Sequence, residues 1–266
     1  MASWHFGTMG FSYPAWRGVF YPREMEAQRF LAYYSRIFNV LEIDSTFYGI
    51  PARPTVLGWK YAVPDGFIFA LKTPQVITHQ MGLVGAGPLF TEFINSARYL
   101  EEKLGAILLQ FPPSFHSDKL EVLGEFLSRV PAGIRIAVEV RHHSWYTPGL
   151  VISLLGELLR QYHVCWTSIE YPGVPGRIVS TSKFLYIRWI GQHGTFVQHD
   201  RERLDRKENM QAWLDEIGKF ESRVDTVFGF FNNDYAGFAA GSAQRFKQLT
   251  GLPVVDFTQP VQAQLF

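Results

Sequence analysis

Two carboxylates stand in the middle of a run that otherwise has the composition of a β-strand. The stretch "VLEIDSTFY" (residues 40–48) is rich in β-branched and aromatic residues, which favour strands. At a period of two, Glu42 and Asp44 lie on one face with Tyr48, and the opposite face is mostly apolar. Carboxylates in this arrangement could act as general acid and base or bind a divalent cation.

Other β-type runs also end in polar side chains. These are Lys72 in the third run, Gln110 in the fourth, Glu139 and Arg141 on one face of the fifth, Arg188 in the seventh and Asn232 after the eighth. With Glu42 and Asp44 they amount to three acids, three cations and two amides. If one region holds them all, the charges lose hydration and must either pair with one another or bind a ligand. The sequence leaves both alternatives open: a structural ion network, or a binding or catalytic pocket.

The residue types suggest a division of roles within such a pocket. Glu42 and Glu139 would be acid and base, with Asp44 beside them, while Lys72, Arg141 and Arg188 would hold an anionic group that Gln110 and Asn232 orient. His79, in the loop after the third run, could join the catalytic set or be a hydrogen-bonded structural residue. Trp16, Tyr48 and Trp145 could form flat walls for a sugar ring or a base, or they could brace the loops against one another.

Few cofactor signals accompany these residues. A magnesium or manganese ion on Glu42, Asp44 and Glu139 is chemically feasible, whereas no histidine spacing matches a zinc pattern. We find no G-x-G-x-x-G or Walker A motif for a nucleotide, and no serine elbow. The single Cys165 excludes an intrachain disulfide.

The elements that would position these side chains alternate along the chain. Eight β-type runs begin at Trp4, Val40, Phe67, Ala106, Arg135, Val164, Phe184 and Thr226. Helix-like segments lie between most of them, which predicts a parallel, eight-stranded (β/α)8 barrel of TIM type. A doubly wound open sheet is the alternative, but its glycine-rich turn is absent. We expect one domain over residues 1–255 and a tail over residues 256–266.

A barrel would explain the parity of the charges. The outer face of each strand is covered by helices and must be apolar, so the polar alternates would point inward, at the carboxyl ends of the strands.

Bulk composition excludes some classes of function. The chain has 266 residues and a formal net charge of +1, so nucleic-acid binding is not favoured and no membrane-attracting field is expected. No apolar run reaches 18 residues, and the opening "MASWHFGTMG" does not look like a signal peptide. These features predict a cytoplasmic protein without membrane attachment.

Six motifs carry a family likeness. They are "GTMGFSYPAWRGVFYP", "FLAYYSRIFNVLEIDSTFYGIP", "GFIFALKTP", "GAILLQFPPSF", "AVEVRHHSW" and "FGFFNNDYAGFAAGSA". From residue 7 to about residue 249 the chain resembles the family called domain of unknown function 72 (YecE-like). The resemblance implies a TIM-type barrel and supplies no activity. Its motif positions fall on the polar residues above, from Glu42 to Asn232. The chain departs from the family pattern at two places, Ser168 and the "WIGQHG" that follows Arg188.

The last five residues carry a separate resemblance. "QAQLF" (residues 262–266) is similar to the pentapeptide that binds the bacterial sliding clamp, with matches at Gln262, Leu265 and Phe266. A glutamine and a Leu-Phe pair can fill a polar and an apolar pocket as an extended peptide. The alternative is an ordinary tail packed on the domain.

Three hypotheses of function follow. The first, by fold analogy, is an enzyme of hydrolase or isomerase type that acts on a sugar-phosphate-like or other small anionic substrate. The second is a DNA-maintenance protein that its tail recruits to the sliding clamp. The third is a non-catalytic binding module whose ions are structural.

Overall fold

Buried parallel strands form the framework of the protein, for which a computed structural model describes residues 2–147 and 149–256. Within these residues the strands are β1 (Ser3–Thr8), β2 (Val40–Ile43), β3 (Ile68–Lys72), β4 (Leu104–Gln110), β5 (Ile136–Glu139), β6 (Cys165–Trp166), β7 (Ser168–Glu170), β8 (Phe184–Trp189) and β9 (Thr226–Phe231). Four of them pair in the order β1-β9-β8-β7 and five in the order β2-β3-β4-β5-β6. Every pairing is parallel. The fold is a single α/β domain.

Helices follow most strands and cover the sheets. The α-helices of the described residues are α1 (Phe30–Tyr34), α2 (Arg53–Ala62), α3 (Gly87–Ala97), α4 (Leu120–Leu127), α5 (Leu150–Gln161), α6 (Lys207–Gly218), α7 (Asn233–Ala236) and α8 (Ala239–Leu249). The segment around "PTVLGWKYAV", which has the weakest helical pattern, forms α2 with Pro54 in its first turn. Proline is tolerated there because the first amides of a helix have no intrahelical partner. None of the described helices is long and apolar enough to cross a bilayer.

The predicted number of eight strands is too low by one for the described residues. Each β-type run contains a strand, but the run that begins at Val164 contains two, β6 and β7, with Thr167 between them. Cys165 pairs with Ala137 of β5, whereas Ser168 pairs with Ile187 of β8. The chain therefore changes sheets at one residue, and hydrogen bonding forms two sheets where the sequence predicts one. Residue alternation along "VCWTSI" carries no sign of this change.

Alternate residues of the strands separate into two apolar clusters, as their parity predicts. We call the smaller one the inner cluster; its buried members are Met9, Val40, Ala70, Ala106, Leu108, Ala137, Cys165, Ile169, Phe184, Tyr186, Ile190, Phe228 and Phe230. The residues between them on the strands, such as Leu41, Leu109 and Val138, belong to a larger cluster that includes helix residues Phe93, Leu123 and Ile217. Each strand is thus buried on both faces, as parallel strands covered by helices must be.

Cys165 is buried within the inner cluster, with 1% of its surface exposed. Burial disfavours the thiolate and raises the pKa of its thiol to about 12.

A buried lysine directly before β4 binds the carboxyl end of α2. Lys103 is 4% exposed, and its Nζ donates hydrogen bonds to the carbonyl oxygens of Lys60 and Val63, both at 2.9 Å. These carbonyls lie at the carboxyl end of the helix, where backbone acceptors lack intrahelical donors. The ammonium therefore caps α2.

We expect Lys103→Met to lower the free energy of unfolding by about 1–3 kcal/mol, because it leaves buried carbonyls without a donor. Chemical denaturation measures this change. Lys219→Met is the matched control, since the Lys219 side chain is 66% exposed and pairs with Glu216 on the surface, where an ion pair contributes about 0–1 kcal/mol. Equal losses in the two variants would contradict the capping role.

Candidate functional site

Polar residues continue the inner face of the strands at their carboxyl ends. Each lies two positions beyond an inner-cluster residue; they are Glu42, Lys72, Gln110, Glu139, Arg188 and Asn232. Because the strands are parallel, these positions share one edge of the sheets. Asp44 and Arg141 lie two positions further along, beyond Glu42 and Glu139.

Arg188 of β8 lies between two carboxylates from the other sheet. Its Nε and Nη2 donate to Glu42 Oε2 and Oε1 at 3.0 and 2.8 Å, and its Nη1 donates to Glu139 Oε2. The Tyr186 hydroxyl adds a hydrogen bond of 2.7 Å to Glu42 Oε2. The side chains of Glu42 and Glu139 have no exposed surface, and that of Arg188 is 5% exposed. A paired guanidinium of this kind satisfies both carboxylates where their side chains have no contact with bulk solvent.

Arg141 extends this arrangement toward solvent. Its Nε donates to Glu139 Oε1 at 2.7 Å, its side chain is 18% exposed, and its guanidinium lies over the Tyr171 ring at 4.7 Å. Burial alone would raise the pKa of Glu139, but Arg188 and Arg141 outweigh it and lower that pKa to about 2. We call Glu42, Glu139, Arg141 and Arg188 the ion network. Its two buried carboxylates have donors on all four oxygens.

Lys72 lies beside the ion network without belonging to it. Its Nζ is 3.8 Å from the centre of the Phe47 ring, and among the described residues it forms no ion pair. Burial and the positive charge of Arg188 lower the pKa of Lys72 to about 8, despite the opposing effect of Glu139 and Glu42. Its side chain is partly exposed, so a ligand could reach it.

Asp44 is the third acid of the region, and it also has no ion pair within the described part of the chain. It is partly exposed. Burial and the charge of Glu42 raise the pKa of Asp44, and Lys72 and Arg188 offset this only in part. Gly10 packs against it: a Cβ at that position would lie 3.1 Å from Asp44 Oδ1. Asp44 is therefore closer than Glu139 to the range in which a carboxyl exchanges protons near neutral pH.

His79 lies on a π-helical turn, Val76–Gln80, after β3. Its ring meets the Phe47 ring edge-on at 4.8 Å, and its Nδ1 is 2.9 Å from the Thr78 hydroxyl. Burial, Lys72 and Arg141 lower the pKa of His79 to about 4. The imidazole is thus neutral near pH 7. Phe47 connects the two groups, since its ring contacts both the His79 ring and the Lys72 ammonium.

Sequence reasoning missed Phe47, Tyr171 and Tyr186 at this site. Tyr186 had a usable signal, because it lies two residues before Arg188 on the inner face of β8. Phe47 lies in a 3-10 turn, Ser45–Tyr48, which begins after β2 ends at Ile43. Strand alternation no longer applies there. A period of two would place Phe47 on the face opposite to Glu42, but the turn places it on the same face.

The two amide residues predicted to orient an anionic group form hydrogen bonds with the backbone instead. The Gln110 amide donates to the carbonyl oxygen of Phe111, and the residue is 2% exposed. Asn232 caps α7, since its Oδ1 accepts from the backbone amide of Asp234 at 2.9 Å. Gln110 therefore presents no surface to a ligand, whereas Asn232 is partly exposed.

The prediction that Trp16 and Trp145 form walls of a ligand pocket is wrong. Trp16 and Trp145 are 0% exposed, and their indole nitrogens donate to Asn233 Oδ1 at 3.2 Å and to the carbonyl oxygen of Phe115 at 2.7 Å. Both brace loops and leave no face for a ligand. Tyr48 is 79% exposed and contacts the ring of Phe47. The aromatic surfaces beside the charges are those of Phe47 and Tyr171.

The three acids predicted as metal ligands do not form a ligand set. All four oxygens of Glu42 and Glu139 accept from guanidinium or hydroxyl donors. Within residues 2–147 and 149–256, no group of three His, Cys, Asp or Glu side chains is arranged to hold a metal ion. A magnesium or manganese ion would have to displace Arg188.

The predicted clamp-binding residues Gln262, Leu265 and Phe266 lie outside the described residues, and sliding-clamp binding stays a prediction.

Comparisons with known proteins agree on one family. The family described as "Protein of unknown function DUF72" matches residues 5–264. The UPF0759 protein YecE of Escherichia coli strain K12 is 28% identical over 223 residues, which cover 76% of this chain and 79% of YecE. The UPF0759 protein YunF of Bacillus subtilis is 25% identical over 268 residues, with coverage of 92% and 95%.

Solved structures give the same result. A crystal structure of a DUF72 family protein from Thermotoga maritima superposes with a TM-score of 0.77 at 28% identity, covering 94% of this chain and 99% of that one. A DUF72 family protein from Enterococcus faecalis has the same fold, with a TM-score of 0.76 at 21% identity and coverage of 95% and 99%.

Proposed function

The chain belongs to the DUF72 family, and we propose that it is an enzyme that acts on a small anionic, sugar-phosphate-like substrate by acid–base chemistry at the strand ends. The observation that carries this proposal is a division among the charges. The ion network is saturated, whereas Lys72 and Asp44 are partly exposed and have no ion pair among the described residues. Charges that lose much of their hydration without gaining a partner are costly in a fold, and they are typical of sites that act on a ligand.

This division changes the roles proposed for the acids. Glu139, with its pKa lowered to about 2, stays ionised and is unsuited to proton transfer near neutral pH. Lys72, with a pKa of about 8, can exchange protons there, since an effective acid or base has a pKa near the working pH. Asp44, whose pKa is raised, is better suited than Glu139 to proton transfer, and the neutral His79 can form hydrogen bonds with the substrate. Glu42 and Glu139 position Arg188 and Arg141. Proton transfer to and from a sugar-like substrate, a step that isomerases and hydrolases share, suits this set.

The partly exposed cations support an anionic substrate. Arg188 and Arg141 balance the charges of Glu42 and Glu139, so the network neutralises neither Lys72 nor Asp44, and Lys72 is available to an anion. Arg141 presents the rest of its guanidinium beside the Tyr171 ring. A phosphate or carboxylate could bind both cations, while the rings of Phe47 and Tyr171 contact the substrate's carbon atoms.

We further propose that the two sheets close into a barrel of TIM type, with the site at its carboxyl-terminal face. Met9, just after β1, forms a parallel bridge with Glu42 of β2, which supports closure on one side. On the other side Thr167 alone separates β6 from β7, and its amide donates to Val138 of β5 at 2.9 Å. Arg188 of one sheet also bonds to both carboxylates of the other. In barrels of this type, active sites lie where the strands end.

Ligand binding tests the proposed function. At a concentration of about 100 times its Kd, a bound sugar phosphate is expected to stabilise the protein by about 2.7 kcal/mol, which for a domain of this size raises Tm by about 5–10 °C. The probes are ribose 5-phosphate, glycerol 3-phosphate and inorganic phosphate, with uncharged ribose as the control, in thermal denaturation and titration calorimetry.

Variants locate the binding. Lys72→Met and Arg141→Gln should each abolish the shift, whereas Lys219→Met, on an exposed ion pair, should retain it. A shift that all three variants keep would place the ligand elsewhere, and no shift with any anionic probe would contradict the proposed substrate class.

A further inference from the structure

We propose that Lys72 forms a covalent imine with a substrate aldehyde or ketone that also carries an anionic group, an inference that rests on the proposed function. A lysine attacks a carbonyl carbon when its amine is not tied to a carboxylate, when it loses its proton near neutral pH, and when a proton source and a binding group for the substrate lie beside it. Lys72 meets each condition by a separate feature of the structure.

The first condition is a free, oriented amine. Thr46 holds the backbone at Lys72, because its hydroxyl donates to the Lys72 carbonyl oxygen at 2.6 Å. The aliphatic stem follows the inner face of β3, and Nζ ends 3.8 Å above the Phe47 ring. The nearest buried carboxylates, Glu42 and Glu139, already have donors on every oxygen. The ring and the saturated network therefore keep Lys72 out of a salt bridge.

The second condition is loss of the proton near neutral pH. With a pKa of about 8, roughly a tenth of the Lys72 side chains are neutral at pH 7, against less than one in a thousand for a lysine with its ordinary pKa. The groups that face it have opposing effects: burial, Arg188 and Arg141 lower this pKa, whereas Glu139 and Glu42 raise it. Desolvation beside other cations is a recognised way to activate a lysine for imine formation.

The third condition is a proton source and a place for the substrate. The Lys72 lone pair forms a C–N bond to the carbonyl carbon, the C=O π electrons move to oxygen, and that oxygen gains a proton as the nitrogen loses one. A second proton on the hydroxyl then lets water leave as the nitrogen forms the C=N bond, giving a cationic iminium and one water. Asp44, whose charge interacts with that of Lys72, carries the proton from the nitrogen to the oxygen, solvent supplies the second proton, and Arg141 binds the anionic group.

Reductive trapping tests the imine. The full-length protein is incubated with glyoxylate, pyruvate or dihydroxyacetone phosphate and sodium cyanoborohydride, and the product is analysed by intact mass and peptide mapping. We expect one adduct per chain at Lys72, formed at least about tenfold faster than at exposed lysines such as Lys219. Lys72→Met should lose this adduct. Lys72→Arg keeps the positive charge without the nucleophile, so it should still bind the anion and form no adduct.

The thermal shift of the same compounds separates the two proposals. If a compound raises Tm in the wild type but leaves Lys72 unmodified under reduction, the imine is wrong and the proposed function stands. If no compound raises Tm and Lys72 reacts no faster than Lys219, both are wrong. An adduct on Lys72 that Lys72→Met removes, with surface lysines largely unmodified, supports the imine.

Discussion

Replacing Arg188 with methionine is expected to lower the free energy of unfolding by about 3–5 kcal/mol, the largest effect of any single substitution that we propose. The substitution removes every donor between the fully buried carboxylates of Glu42 and Glu139 except the Tyr186 hydroxyl and Arg141 Nε. Two buried carboxylates with Arg141 as their remaining counter-charge must then either stay ionised at high cost or take up protons. Urea denaturation followed by circular dichroism measures the loss.

Two variants show whether the loss comes from the carboxylates left behind. Arg245→Met removes a 40% exposed arginine that contacts Glu202 at 2.6 Å and Asp205 at 3.4 Å, so we expect a change of about 1 kcal/mol or less. The triple variant Glu42→Gln, Glu139→Gln, Arg188→Met removes the charges together and should recover much of the stability. The explanation is wrong if the triple variant is less stable than Arg188→Met alone.

Stability in acid depends on Glu139. Its pKa is lowered from 4.5 to about 2 in the folded protein, so the folded state favours the ionised form. This contribution, on the order of 3 kcal/mol, is fully present above about pH 4.5 and is lost as the pH falls through about 2. Between pH 6 and pH 3 we expect the wild type to lose about 2 kcal/mol from this group.

Denaturation of Glu139→Gln at the same two pH values isolates this effect from the other carboxylates. The variant starts less stable than the wild type at pH 6, and the difference between them should shrink by about 2 kcal/mol at pH 3. Glu216→Gln, on a surface pair with Lys219, should follow the wild type at both values. If Glu139→Gln also parallels the wild type, Glu139 is not the carboxyl that titrates.

Much of the charged edge could be predicted from the alternation of residues. A strand covered by helices needs an apolar outer face, so Glu42, Glu139 and Arg188 had to share the inner face, and their contact follows once the strands are parallel. The sequence does not show which cation pairs with which carboxylate. Arg188 and Glu42 are 146 positions apart, and the lengths of their contacts depend on how far the sheets approach each other.

Other features depend on local geometry that a repeating pattern does not contain. Phe47 reaches Lys72 because the chain leaves β2 for a 3-10 turn, and Gln110 turns to the neighbouring carbonyl oxygen. Trp16 and Trp145 were predicted at the site from their positions after strands. Their side chains point into the packing of loops and helices instead, where a large ring buries much apolar surface and its N–H finds a hydrogen-bond acceptor.

Because Cys165 is buried, the reactivity of the chain's one thiol reports how often the protein opens locally. With 1% of its surface exposed and no second cysteine in the sequence, it can meet an aromatic disulfide reagent only after β6 separates from its neighbours. The rate of that modification under native conditions therefore measures how often this part of the protein opens, and no label has to be introduced.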